Sequence, residues 1–249
     1  MAALTAARCS RARSGSPLDL FAGNREDSAM KLYSRPLSTY SSIIRGIAYL
    51  KDVPLKIIAP PPGIPIPEEF RAISPLNRIP VLITGSGETI VESVVIAEYL
   101  EERFPEPVLL PQDPRERALV RMFCRIADLD VLTPTIRLFE LISAAARDEA
   151  AITYYSKRQQ NGLAAVEARL ARGPYALGEQ LTFADAWLTP IRFIFNNYRV
   201  MSGETDLLDP YPKFEAYEQI ARQQPALSLV WNEMDDGLTV FMKEFKADA

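Results

Sequence analysis

The sequence predicts an α/β domain followed by an all-helical domain, and three observations carry that expectation. Four short strand candidates lie before residue 92, separated by one long helical stretch and by proline- or glycine-marked turns. A linker at 105–113 (P-E-P-V-L-L-P-Q-D) then interrupts the pattern, and no strand signal follows it. Beyond the linker the apolar residues recur at helical spacing. At 249 residues the chain is long enough to bury a core in each of two domains.

K-L-Y at 31–33 is the first strand candidate, and Pro36 with Ser38, Thr39, Tyr40 and Ser41 follows as a turn. Ile43, Ile44, Ile47 and Ala48 share one helical face, so a helix runs to about Lys51, and Pro54 ends it. P-L-K-I-I-A at 54–59 is a second strand. The proline-rich stretch 60–67 has to be an extended loop, and Glu68–Ile73 a short helix stopped by Pro75. I-P-V-L-I at 79–83 and T-I-V at 89–91 flank G-S-G and read as a hairpin. Glu92 and Ser93 open a helix with Val95, Ile96, Tyr99, Leu100 and Phe104 on one apolar face. The order β-α-β, short helix, hairpin, helix is the thioredoxin-like arrangement. Helices are expected near 114–144, 148–172, 182–201, 212–223 and 227–246. T-F-A-D at 182–185 has the spacing of a capping box, and Pro190 is expected to kink the helix it opens.

Composition removes several classes of chemistry. With no histidine, imidazole bases, Ser-His-Asp triads and His-ligated zinc are excluded. The two cysteines, Cys9 and Cys124, form no C-x-x-C pair, and Cys124 in an apolar helix reads as an inert buried thiol. This fits a reducing compartment. A net charge of −4 with no Lys/Arg-dense segment argues against nucleic acid, and the apolar runs are too short and too charged for a membrane span. Residues 1–29, with Arg8, Arg11 and Arg13 and no acid before Asp19, read as an unstructured or non-native start ahead of Met30 in preference to a transit peptide.

Five motifs in order resemble the glutathione transferase superfamily. They are R-I-P-V-L at 78–82, V-E-S-V-V-I-A-E-Y-L-E-E at 91–102, L-L-P-Q-D-P-R-E-R-A-L-V-R-M at 109–122, G-E-Q-L-T-F-A-D-A at 178–186 and Y-P-K-F-E-A-Y-E-Q-I at 211–220. Within it, S-T-Y-S-S-I-I-R at 38–45 and L-L-P-Q-D-P are similar to the zeta class, which includes maleylacetoacetate isomerases. Tyr40 stands where that class carries cysteine and Ile43 where it carries arginine, and the prolines at 60–67 lie outside its pattern.

The resemblance implies a glutathione-binding thioredoxin-like domain over 30–108 and a helical domain over 109–249 that shapes a second-substrate pocket. It implies that Ser38, at the start of the first helix, activates the glutathione thiol. A free thiol near pKa 8.5 is only about 3% ionised at pH 7. A hydroxyl donor at a helix N-terminus favours the thiolate through a charge-assisted hydrogen bond and the helix dipole. Thr39 and Tyr40 are credible substitutes, and Tyr33 is a weaker rival. Read without that register, Ser38, Thr39, Ser41 and Ser42 are helix caps and turn formers.

By the same resemblance Pro80 is cis, and Ile79 pairs its backbone with the cysteinyl unit of glutathione. Glu92 and Ser93 hold the γ-glutamyl end, and Arg78 or Asn77 meets the glycyl carboxylate. Tyr40, Arg192, Tyr198 and Arg199 are candidates for the second pocket, although core packing and surface charge account for them better. Phe123, Phe183, Trp187, Phe193 and Phe195 read as core. The expected activity is attack of the glutathione thiolate on an electrophilic small molecule. A glutathione-dependent cis–trans isomerase is one alternative and a non-catalytic binding module another. Glutathione is the expected co-substrate, with no metal, a cytoplasmic location and a homodimeric assembly.

Overall fold

The computed structural model describes residues 30–63, 65–144 and 146–247, so the expectation for 1–29 lies outside the described residues. The first part is a four-stranded sheet of β1 (Lys31–Tyr33), β2 (Lys56–Ile58), β3 (Val81–Ile83) and β4 (Thr89–Val91) in the order β2-β1-β3-β4. β1 and β2 are parallel, which needs a crossover, and helix α1 (Thr39–Leu50) supplies it. β3 pairs antiparallel with β1 and with β4, Leu82 facing Leu32 on one side and Ile90 on the other. A 3-10 turn at Glu68–Ala72 seats Phe70 in the core, and α2 (Ser93–Arg103) follows β4. The expected apolar face of α2 is corrected at Val95, which is exposed. This is the expected thioredoxin-like order.

Ile43, Ile44 and Ile47 of α1 are fully buried together with Leu32, Leu82 and Ile96. At roughly 1.5–3 kcal/mol for each fully buried aliphatic side chain, that face of α1 anchors the domain. α1 also packs on two helices of the second domain, α6 (Phe183–Ser202) and α8 (Pro225–Ala247).

The linker is held from both sides. Lys51, buried at the end of α1, donates to the carbonyls of Phe104 and Pro107, each at 2.7 Å, and pairs with Glu101 at 2.6 Å. The other Glu101 oxygen accepts from the Leu109 and Leu110 amides at 3.0 and 2.8 Å. The Leu109 carbonyl in turn accepts from the Phe183 amide at 3.0 Å.

The remaining helices are α3 (Pro114–Ile126), α4 (Thr133–Ile142), α5 (Glu149–Arg169) and α7 (Pro212–Gln223). The expected single helix over 114–144 is corrected. Between α3 and α4 the chain runs through a π-helical segment, Ala127–Leu132, in which the Thr133 amide bonds the Asp128 carbonyl five residues back. Pro134 is the physical reason, because it has no N–H for the Asp130 carbonyl four residues earlier. On the α5 side, Gly162 admits the same carbonyl: a Cβ there would sit 2.1 Å from the Asp130 oxygen.

The capping box at Thr182 and Asp185 is present, and α6 continues through Pro190 to a left-handed Gly203. Phe123, Phe183, Trp187, Phe193 and Phe195 are all buried core residues, as is Cys124, whose thiol is pushed well up by burial.

Candidate functional site

Two hollows compete for attention. The larger, about 410 Å³, opens between α3 and the 169–182 stretch and contains none of the residues proposed from sequence to bind glutathione or activate its thiol. The smaller, about 250 Å³, lies where the two domains meet, and six of those residues converge on it: Tyr40, Arg78, Ile79, Pro80, Glu92 and Ser93. Convergence of polar groups from separated segments outweighs size, so the smaller cleft is the candidate site.

Each wall follows from local structure. Before β3, the Ser74 hydroxyl donates to the Arg78 carbonyl at 2.8 Å and accepts from its amide at 3.1 Å, which fixes the backbone leading into Ile79. The Ile79–Pro80 bond is cis. Asn77 does not face the cleft lining; its amide donates to the Ile66 carbonyl at 2.7 Å and ties down the proline loop. Arg35 grips the same loop at the carbonyls of Gly63 and Pro61.

After β4, Glu92 takes φ 69°, a conformation a residue with a Cβ rarely adopts. Glu92, rather than Ser93, occupies the N-cap position of α2, and no side chain caps it. Ser93 and Val94, in the uncapped first turn of α2, line the cleft, and the free amides of such a helix start suit a carboxylate.

The opposite wall comes from the helical domain and was not foreseen. Arg125, Asp128, Leu129 and Thr133 line it. The Tyr40 phenol crosses the domain boundary and donates to Asp128 Oδ1 at 2.8 Å, while Arg125 holds Oδ2 at 2.5 Å. Burial, reinforced by the Asp128 charge, pushes the Tyr40 phenol up to about 12, so it is a neutral donor at physiological pH. Burial also raises the Asp128 carboxyl above its ordinary range; the Tyr40 hydrogen bond and Arg125 oppose this, and the nearby Glu92 charge adds to it. The one sequence signal for this wall is Pro134, which marks the π-helical segment that carries Asp128.

Ser38 and Thr39 are not part of the cleft lining. Ser38 is the N-cap of α1, its hydroxyl accepting from the Ser41 amide at 3.4 Å. Tyr33 packs edge-on against Phe70. Arg192, Tyr198 and Arg199 do not reach the cleft either. Arg192 is buried against the Phe214 carbonyl and Glu218, Tyr198 is buried against Phe139, and Arg199 pairs with Glu215. Among the described residues, no group of three or more Cys, Asp or Glu is placed to hold a metal ion, and no helix is long and apolar enough to cross a membrane.

Comparison with known proteins agrees with this architecture. The family model described as the glutathione S-transferase N-terminal domain matches residues 32–108, and the glutathione S-transferase C-terminal domain model matches 144–219. Maleylacetoacetate isomerase of Mus musculus is 34% identical over 175 residues, covering 68% of this chain and 74% of that protein. Maleylpyruvate isomerase of Ralstonia sp. is 33% identical over 198 residues, 76% of this chain and 90% of that one. Among solved structures, a holo maleylpyruvate isomerase described as a bacterial zeta-class glutathione S-transferase superposes with a TM-score of 0.67. It is 32% identical and covers 80% of this chain and 95% of its own. The two matched domain models, the thioredoxin-like sheet and relatives above 30% identity agree: this chain belongs to the glutathione S-transferase superfamily, in its zeta-class, maleylacetoacetate isomerase-like branch.

Proposed function

We propose that this chain is a glutathione-dependent enzyme and that its reaction is cis–trans isomerisation of a small conjugated diacid of the maleyl type. The observation that carries the reading is the cleft itself. The Ile79–Pro80 backbone and the uncapped N-terminus of α2 with Ser93 stand on one wall, and a guanidinium, Arg125, on the other. The relatives named above, one of them described as zeta class, are named as isomerases, which favours this reaction over general conjugation.

In this reading glutathione lies along the first wall. The Ile79 backbone pairs with its cysteinyl unit, Ser93 and the α2 amides hold the γ-glutamyl carboxylate, Glu92 takes the ammonium, and Arg78 meets the glycyl carboxylate. Ser38 donates to the thiolate, with Thr39 and Tyr40 as the neighbouring hydroxyls. Lowering a thiol pKa by about two units requires roughly 2.7 kcal/mol of differential stabilisation. The thiolate adds to one carbon of the substrate double bond and the electron pair moves onto the conjugated carbonyl. The former double bond rotates, the pair returns, and the C–S bond breaks to release thiolate and the trans isomer. The thiol is regenerated, and a reducing, cytoplasmic setting and a homodimer complete the reading.

A second reading, conjugation of glutathione to another electrophile, is favoured by one observation: Ile43 stands where the zeta pattern has arginine, so the helix at the site offers one cation fewer to a diacid. The test is the thiolate absorbance of bound glutathione against pH for wild type and Ser38→Ala, paired with assays on maleylpyruvate and on an activated aryl halide. A lowered thiol pKa, lost in Ser38→Ala, with turnover of the diacid, supports isomerisation. Turnover of the halide alone moves the assignment to conjugation. Failure to bind glutathione leaves a non-catalytic module.

A further inference from the structure

The loop that delivers Ser38, residues 34–37, leaves the sheet with the Ser34 amide donating to the Ile58 carbonyl of β2 at 2.9 Å, and beyond that point one guanidinium gathers it. Arg45, two turns into α1, is 2% exposed. All five of its N–H groups have acceptors. Nη1 donates to Ser34 Oγ at 2.5 Å and the Arg35 carbonyl at 3.0 Å, and Nη2 to the Pro36 carbonyl and Ser42 Oγ, each at 2.9 Å. Ser42 passes the restraint on, its hydroxyl donating to the Ser38 carbonyl at 2.9 Å.

The fifth N–H, Nε, reaches outside the domain to Glu233 Oε2 on α8, at 2.7 Å. Glu233 Oε1 accepts from the Tyr49 phenol at 2.6 Å, one turn further along α1. One turn along α8, Gly237 lies against the same loop. A Cβ at that position would meet Pro36 Cβ at 2.6 Å and Leu37 at 3.3 Å. The last helix of the second domain thus braces the loop through a backbone surface at Gly237 and orients its guanidinium clamp through Glu233.

We propose that Arg45 and Glu233 are positioning residues for the thiol-activating hydroxyl: α8, through Glu233 and Arg45, sets where Ser38 stands at the N-terminus of α1. The proposal rests on the reading of Ser38 given above. A bare Arg–Glu pair is a common structural feature, but this guanidinium spends four of its five donors on the loop and the first turn that carry Ser38. A hydrogen bond to a thiolate depends on placement to a fraction of an ångström, so a small shift of the loop is read directly in the thiol pKa.

The experiment titrates the thiol of bound glutathione by its thiolate absorbance in wild type, Ser38→Ala, Glu233→Gln and Gly237→Ala, and measures affinity for S-methylglutathione, which has no thiol to ionise. Glu233→Gln keeps shape and one acceptor while removing the charge that orients Arg45; Gly237→Ala presses on Pro36 without touching the ion pair. Both are expected to raise the bound thiol pKa by about one unit, a tenfold loss of thiolate below that pKa. Affinity for S-methylglutathione is expected to stay within about twofold of wild type. Tyr49→Phe, which frees Glu233 from its second partner and leaves Arg45 intact, stands in should Glu233→Gln fail to fold. If the variants lose thermal stability but keep the wild-type thiol pKa while Ser38→Ala abolishes the shift, the clamp is structural only and this proposal alone falls. If wild-type protein leaves the glutathione thiol at its free value, the functional reading falls and this proposal with it.

Discussion

Two buried carboxylates of the helical domain, Asp185 and Asp128, titrate in the same direction and do different work. Burial is the leading cause that raises each above the ordinary carboxyl range. Asp185 is fully buried and its partners are neutral donors of its own domain. Oδ1 accepts from the Ala176 amide at 2.8 Å and the Tyr217 phenol at 3.0 Å, and Oδ2 from the Thr182 amide at 3.0 Å. It ties the start of α6 to the preceding loop and to α7. Asp128 instead stands on the cleft wall between a phenol of the other domain and a guanidinium. A raised carboxyl is therefore no mark of a site by itself; the origin and charge of its partners separate a fold-holding group from one that faces ligand.

The sharpest break of this pair is Asp185→Ala. It strands two backbone amides and takes one acceptor from the buried Tyr217 phenol, which keeps the residue 185 carbonyl, and unfolding by urea should show a loss of about 3–5 kcal/mol. Specific activity of the protein that remains folded should be unchanged; a selective loss of activity would place Asp185 on the wrong side of the comparison.

Gly162→Ala tests whether the π-helical segment that holds Asp128 can be disturbed from behind. The added methyl would collide with the Asp130 carbonyl, from which it would stand 2.1 Å. Overpacking of this kind costs about 1–3 kcal/mol. Because Asp130 and Asp128 share the segment, KM for the second substrate should rise in the same variant. Equal KM values would show that the cleft wall is insulated from α5.

The smallest effect is the most specific. With its folded pKa raised, Asp128 binds its proton more tightly in the native state. Its contribution to stability is full below the unfolded value of about 3.9 and is lost as pH rises through the raised folded value. Asp128→Asn removes that loss, so the stability of the variant relative to wild type should improve between pH 4 and pH 7. A difference that is flat with pH would mean that Tyr40 and Arg125 offset the burial completely.

The first domain was legible because each of its elements carries its own local signal. The alternation of Lys31, Leu32 and Tyr33, the apolar face of Ile43, Ile44 and Ile47, and the G-S-G turn each specify an element without help from distant residues. The cleft wall built from Ile79, Pro80, Glu92 and Ser93 was legible for the same reason, each pair being adjacent in sequence. The facing wall was not. Tyr40 and Asp128 are 88 positions apart, and nothing in either neighbourhood names the other. The turn register that aims Asp128 depends on Pro134 and on the approach of Gly162 from α5. Ser38 shows the limit most plainly: its own neighbourhood reads as a cap, only the family register makes it the thiol activator, and it is the cap of α1. Arg45 entered only as the last letter of a motif, and its role in the loop depends on a glutamate 188 positions away.

The double fastening of the linker bears on how the chain could be divided. A cut after residue 108, where the domain boundary reads most naturally from sequence, would leave Glu101 without the Leu109 and Leu110 amides, whereas a cut after Leu110 would take the Leu109 carbonyl from Phe183. Leu109 and Leu110 are 2% and 1% exposed, so a protease has no purchase there in the folded protein. The stretch behaves as a keystone shared by both halves, and a gene fragment encoding the first half would have to carry it to keep both amide partners of Glu101.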